Sequence, residues 1–239
     1  MSNSYLKNSF IIGLSIFFGL SILGFFIGSS VIKFKEFERT VTVKGLSEKE
    51  FPADIALWPI QFTSAHNDLP SLYSSLEQDT EEILKFLTSN GFEESEISIG
   101  IPAITDKFAQ QYGNQDKIEL RYTASQKVTV YSKKVDKVRE TMRKMVAIGK
   151  KGIVITGSNY QNKTEFIFTR LNEIKPAMIE EATRKAREVA VKFAKDSNSK
   201  LGKIKKARQG QFSIRDRDKN TLHIKKIRVV STIEYFLSD

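Results

Sequence analysis

Residues 53–91 read ADIALWPIQFTSAHNDLPSLYSSLEQDTEEILKFLTSNG, and the change of period inside them decides the fold class. Ala56, Trp58, Ile60 and Phe62 recur at every second position, which puts them on one face of a strand over 53–66. From Leu69 the spacing becomes three and four: Leu69, Leu72, Tyr73, Leu76, Ile83, Leu84 and Leu87 form one stripe of a helix. Asn67 or Asp68 can cap its start, and Asn90-Gly91 can end it with a left-handed residue. Pro59 has no N–H to donate to a ladder, so the strand is expected at a sheet edge or bulged there.

Working outward, Arg39–Gly45 alternates as a short strand, with Val41 and Val43 on one side and a turn expected at Gly45 and Ser47. Downstream, Ile97, Ile99 and Ile101 mark a strand. Leu120, Tyr122, Ala124, Val128 and Val130 mark the next, after a polar connection, Asp106–Lys117, read as a long hairpin tip. A helix is expected over Lys134–Ile148, with Val135, Val138, Met142, Met145 and Val146 inward and Gly149 as its stop. Two short strands follow, near Ile153–Ser158 and Thr164–Arg170, joined by Gln161-Asn162. The third helix runs over Asn172–Ser197, with Pro176 in its first turn, Ala182, Ala186, Val189, Ala190 and Phe193 inward, and Glu181–Lys185 and Glu188–Lys192 as i,i+4 ion pairs. Strands near Leu201–Gln209 and His223–Phe236 flank a charged tip, Arg215–Asn220.

The order is an α+β one. Two ββαββ-type halves, 39–132 and 150–236, are joined by a helix over 133–149, with largely antiparallel sheets and helices on one face.

Phe10–Ile32 precedes this body as 23 residues without a charge. As a helix it spans ~34 Å, enough to cross a hydrocarbon core of about 30 Å. This divides the N-terminus into a cytoplasmic stretch 1–9, a transmembrane signal-anchor 10–32 and a linker 33–38. Its length favours a retained anchor over a secretory signal cleaved near Ser30. Flanking charge does not favour moving the body across: Lys7 stands on one side and Lys33, Lys35 and Arg39 on the other. Gly24 and Gly28 form a G-x-x-x-G pair through which spans can pack.

Composition removes several chemistries. With no Cys, the chain has no disulfide, no thiolate metal site, no cysteine nucleophile and no lipid-modified cysteine. Its two histidines, His66 and His223, form no ligand pattern and read as strand-face residues. There is no G-x-S-x-G elbow, no phosphate-binding loop and no dinucleotide fingerprint. Asp54 is the one acid near a sheet interior and reads as a turn or edge residue bonded to backbone. Neither a catalytic residue, a cofactor nor a metal is expected, and the chain is expected not to be an enzyme. Residues 33–239 carry 37 Lys and Arg against 28 Asp and Glu. Interspersed charge, as in Glu48-Lys49-Glu50 and Arg215–Lys219, reads as a solvated surface, and no nucleic acid is expected.

Several stretches carry a resemblance. Arg39–Gly45, Pro52-Ala-Asp54-Ile-Ala56, Gly91-Phe92 with Glu96-Ile97-Ser98, and Tyr122-Thr-Ala124 with Val128-Thr-Val130 occur in order. An alanine-rich helix with Ala182, Ala186-Arg187, Ala190 and Ala194 then exits to Leu201-Gly202-Lys203-Ile204. Together they resemble the SIMPL-domain family, bacterial periplasmic or exported proteins that include an immunogenic surface antigen and oxidative-stress-defence proteins. The tips 106–117 and 215–220 vary in that family and transfer nothing. The resemblance implies an α+β fold, a place outside the cytoplasm and closed homo-oligomers, in some members rings. It implies no catalytic position. The leading expectation is a scaffold or interaction protein of the cell envelope, held in the inner membrane with its body on the periplasmic side. The alternatives are a module binding anionic lipid or polymer through the basic surface and, third, a hydrolase-type enzyme.

Overall fold

The structure is a computed structural model that describes residues 2–37, 39–109, 119–157 and 162–238, with side chains described from Phe10 to Ser30 and in the described residues from Arg39 onward. Helix α1 covers Ser2–Phe37. It therefore continues through 33–37, where a linker was expected: Val31–Phe37 contains neither Gly nor Pro, so nothing in it stops a helix. The mixed α+β part begins at Thr40. Its strands are β1 (Thr40–Pro52), β2 (Ile55–His66), β3 (Ile97–Ile99), β4 (Ala103–Asp106), β5 (Tyr122–Ser132), β6 (Val154–Ile155), β7 (Glu165–Ile167), β8 (Lys200–Gln209), β9 (Ser213–Asp216) and β10 (Ile224–Ser238). Its helices are α2 (Leu69–Ser89), α3 (Val135–Lys144), α4 (Val146–Gly149) and α5 (Leu171–Asp196).

Two sheets form. One has the order β1-β10-β8, with β9 also on β10; the other has the order β3-β5-β2-β6, with β4 on β5 and β7 on β2. The ββαββ order of each half is visible, but the halves exchange strands. β1 joins the sheet of β8 and β10, while β6 and β7 join the sheet of β2 and β5. Compact units consequently do not follow the halves 39–132 and 150–236. The first unit comprises Met1–Glu48, Lys175–Ser213 and Arg228–Asp239, and the second Lys49–Ile174 and Ile214–Ile227.

In the second unit β2 and β5 pair antiparallel without a break from Ala56↔Ser132 to His66↔Tyr122. Ala56, Trp58, Ile60 and Phe62 of β2 and Ala124, Val128 and Val130 of β5 are all buried on this pairing. Leu72, Leu76, Ile83 and Leu87 of α2 close over them. The Asp68 carboxylate caps α2 by accepting from the Ser71 amide at 2.9 Å, and Gly91 follows its end at φ 84°. Leu69 and Tyr73 are substantially exposed, so the buried stripe is narrower than the periodicity suggested. Pro59 is tolerated inside a central strand because β7 pairs only with Ile55–Leu57 and β6 only with Phe62 and Thr63. Between those contacts the Gln61 carbonyl accepts from the Thr156 amide, and no strand among the described residues pairs with Pro59 on that edge, so no donor is missed. Ile101 is almost fully exposed in the connection between β3 and β4. The base of the 106–117 hairpin forms, with Asp106↔Tyr122 paired, while 110–118 and Gln161 lie outside the described residues. The expected helix 134–148 is two pieces that break at Met145, and Val146 is exposed rather than inward.

In the first unit α5 covers one face of its sheet. Val43, Ile233 and Tyr235 meet Ala186 and Ala190, with Val41 and Leu201 at the margin. The inward stripe of α5 is Met178, Ala182, Ala186, Ala190 and Ala194, at a strict spacing of four. Val189 and Phe193, expected inward, are exposed. Pro176 sits inside the helix, beyond the first turn. The Glu181–Lys185 pair forms at 2.7 Å, and among the ion pairs of the described residues there is none between Glu188 and Lys192.

Candidate functional site

β1 does not turn at Gly45 and Ser47 but runs on to Pro52. The reason is contact. A Cβ on Gly45 would fall on the Ala182 carbonyl oxygen and crowd the Ala186 amide, so glycine lets the strand lie against the α5 backbone. Two residues on, the buried Ser47 hydroxyl donates to Glu181 at 2.9 Å, and Lys185 holds the other oxygen of that carboxylate. Gly45, Ala182 and Ala186 are thus one packing seam. Arg187 is exposed beside it. Gly202 lies on β8 where a Cβ would stand 3.0 Å from the Phe236 carbonyl oxygen, a second close backbone approach in the same unit.

The motif positions of the second unit form separate contacts. Pro52 precedes the step into β2. Asp54 accepts from the Thr169 amide at 2.9 Å and its hydroxyl at 2.7 Å, with the Arg170 guanidinium 3.5 Å away. Partial burial works to raise this carboxyl, but the Thr169 bonds and Arg170 outweigh it and hold it below the ordinary carboxylate range. The backbone is pinned alongside: the Asp54 amide donates to Ile167 and the Ala53 amide to His223. Ala56 and Ala124 are fully buried in the β2/β5 core. The Gly91 carbonyl accepts from Lys137. Tyr122 lies under the Arg121 guanidinium, which also binds Asp106 at 2.8 Å.

These residues pin turns and seams and do not converge on a cleft. His66 bonds Ser75 at 2.8 Å. His223 stands just before β10, edge-on to Phe166, and burial together with the Arg139 charge lowers its pKa. Among the described residues no group of three or more His, Asp or Glu side chains is placed to hold a metal ion. Gly24 and Gly28 face open space on α1.

The surface feature that sequence reading missed is on β8. Its ten residues, KLGKIKKARQ, hold Lys200, Lys203, Lys205, Lys206 and Arg208 and no acid, so charge is not interspersed there. The signal was present as an acid-free run, but it carries meaning only once strand pairing gives it a face. Arg208 pairs across from Thr232 and Lys206 from Glu234, on the side of the sheet away from α5. With Thr42 of β1 they line a groove of about 220 Å³. Lys205 bonds Glu234 at 3.3 Å and lies over the Phe236 ring, and the Thr40 hydroxyl, together with that lysine, keeps the Glu234 carboxyl below its usual range. Lys206 and Arg208 make no ion pair among the described residues.

In comparison with known proteins, the family described as SIMPL, protein of unknown function, matches residues 41–223. No curated protein matches the chain.

Proposed function

Since the chain belongs to the SIMPL family, with the match covering most of its α+β part, we propose that it is a non-enzymatic scaffold or interaction protein of the cell envelope, held in the membrane by α1. One observation carries the anchoring. Phe10–Ser30 is a 21-residue helix with a mean hydropathy of 2.5, and none of it is buried by the rest of the chain. Phe10 and Phe25 are each more than 70% exposed. An apolar surface of that length, bare on every side, is unfavourable in water and matches a hydrocarbon core. The body then lies on the extracytoplasmic side and associates with further copies, as the resemblance implies, and a part in stress defence follows the same resemblance. The test uses the full chain. Retention in alkaline-washed membranes, activity of a reporter that works only outside the cytoplasm when fused after Asp239, and a detergent-extracted mass of several copies are the expected results. Release by alkali overturns the anchor, a silent reporter overturns the orientation, and a strict monomer overturns the oligomer.

A further inference from the structure

Among the described residues of the first unit, helix cover lies on one face of the sheet. α5 seals the side of Val43, Ile233 and Tyr235. The opposite side presents the groove of Thr42, Thr232, Lys206, Arg208 and Glu234, in which two hydroxyls and two cations offer donors beside one carboxylate. That carboxylate, Glu234, is already engaged by the Thr40 hydroxyl and by Lys205, so the two groove cations outnumber the one acid. Donors of this kind around a shallow groove suit a phosphate oxyanion. A free edge strand studded with Lys also resists pairing with another strand, which turns the face toward an anionic surface and away from sheet extension.

The tether decides which anion is close. β1 of this same unit begins at Thr40, and the apolar span ends at Ser30. Residues 31–37 of the intervening chain are helical and rise about 10 Å. The three residue steps from Phe37 to Thr40 add at most about 10 Å. The first residue of the sheet is therefore held within about 20 Å of the end of the span. Headgroups at that boundary are the anions present at the highest local concentration.

We propose that Lys206 and Arg208, with Thr42 and Thr232, bind the phosphates of anionic lipid headgroups in the bilayer that α1 enters. This rests on the reading of α1 as a retained anchor. The contact lays the β1-β10-β8 face on the membrane and leaves α5 on the far side of the sheet.

The absence of cysteine makes the test clean. The full chain carrying Leu46→Cys, on the β1 face that also bears Thr42, labelled with a fluorophore, is reconstituted into vesicles of phosphatidylcholine alone or mixed with phosphatidylglycerol, with a quencher on the lipid headgroups. Quenching is expected to rise severalfold with the anionic lipid, and to fall back at high salt. It should also fall back in the Lys206→Gln/Arg208→Gln variant, by roughly fivefold in apparent affinity for each charge removed. The variant Lys192→Gln/Lys195→Gln, on exposed positions of α5, should leave it unchanged. Quenching that ignores lipid charge, or that survives in the Lys206/Arg208 variant, overturns the proposal. So does tight binding of soluble polyphosphate with no approach of the label to the bilayer. Flotation on phosphatidylcholine vesicles reports α1 alone. A chain that floats there but shows charge-blind quenching loses the headgroup contact and keeps its anchor. A chain that does not float loses the anchor, and the proposal falls with it.

Discussion

Gly45 of β1 lies against Ala182 of α5 so closely that a methyl group on the glycine would occupy the place of the Ala182 carbonyl oxygen. The displaced atom would be helix backbone, so no side-chain rotation can relieve the clash.

Gly45→Ala is therefore expected to destabilise the chain by about 3 kcal/mol or more, beyond the usual cost of an overpacked core. Gly149→Ala, where a Cβ meets open space, should fall within about 1 kcal/mol of the parent. Chemical denaturation of both variants checks this, and equal midpoints would contradict the seam.

The inward face of α5 gives a second test. Met178 is fully buried and Phe193 is 55% exposed. Met178→Ala should cost about 2–5 kcal/mol through the cavity it leaves. Phe193→Ala should stay within about 0.5 kcal/mol, although Phe is the larger side chain. A reversed order in thermal melts would restore the face expected from periodicity.

Asp54 gives a pH-dependent prediction. Its carboxyl is held below the ordinary range, so its folded-state pKa lies under the unfolded value of about 3.9. A group depressed in this way stabilises the fold fully above the unfolded pKa and loses that contribution as pH falls through the folded one. Asp54→Asn should lower stability by about 1–3 kcal/mol at neutral pH, since Thr169 and Arg170 lose a charged acceptor. The gap between variant and parent should close as pH drops below about 4. Urea melts across that range would expose a constant gap if the charge were irrelevant.

The apolar span answers to charge. Leu20 is at the midpoint of Phe10–Ser30, and Leu20→Arg should cost about 3 kcal/mol of insertion. More of the protein should then be extracted from membranes by alkali, and an unchanged fraction would place the helix outside the hydrocarbon.

Local chemistry was legible from residues alone. The period switch between Phe62 and Leu72, the Asp68 cap, the Gly91 exit and the buried faces of β2 and β5 are each dictated within a few positions of sequence. What was not legible depended on partners distant in the chain. Gly45 reads as a turn because nothing near it reveals a helix 137 residues downstream. Val189 and Phe193 read as core because hydrophobicity outweighs size in a periodic count, whereas a close seam admits only alanine. The run at 203–208 reads as ordinary surface until pairing with β10 puts Lys206 and Arg208 on one side. The exchange of strands between the halves has no local signature, since each strand satisfies its pattern in either sheet.

That exchange has a consequence for how the protein is made. β1 follows α1 directly, so it emerges early in synthesis, yet the strand beside it, β10, starts at Ile224. The nascent chain must therefore wait, with β1 unpaired, until nearly all of its length has been delivered. Such closure over a long sequence interval is slow. An edge left open during that wait invites wrong partners. A premature stop anywhere before Ile224 would leave a fragment whose β1 has no β10 to pair with, so that its first sheet can never close.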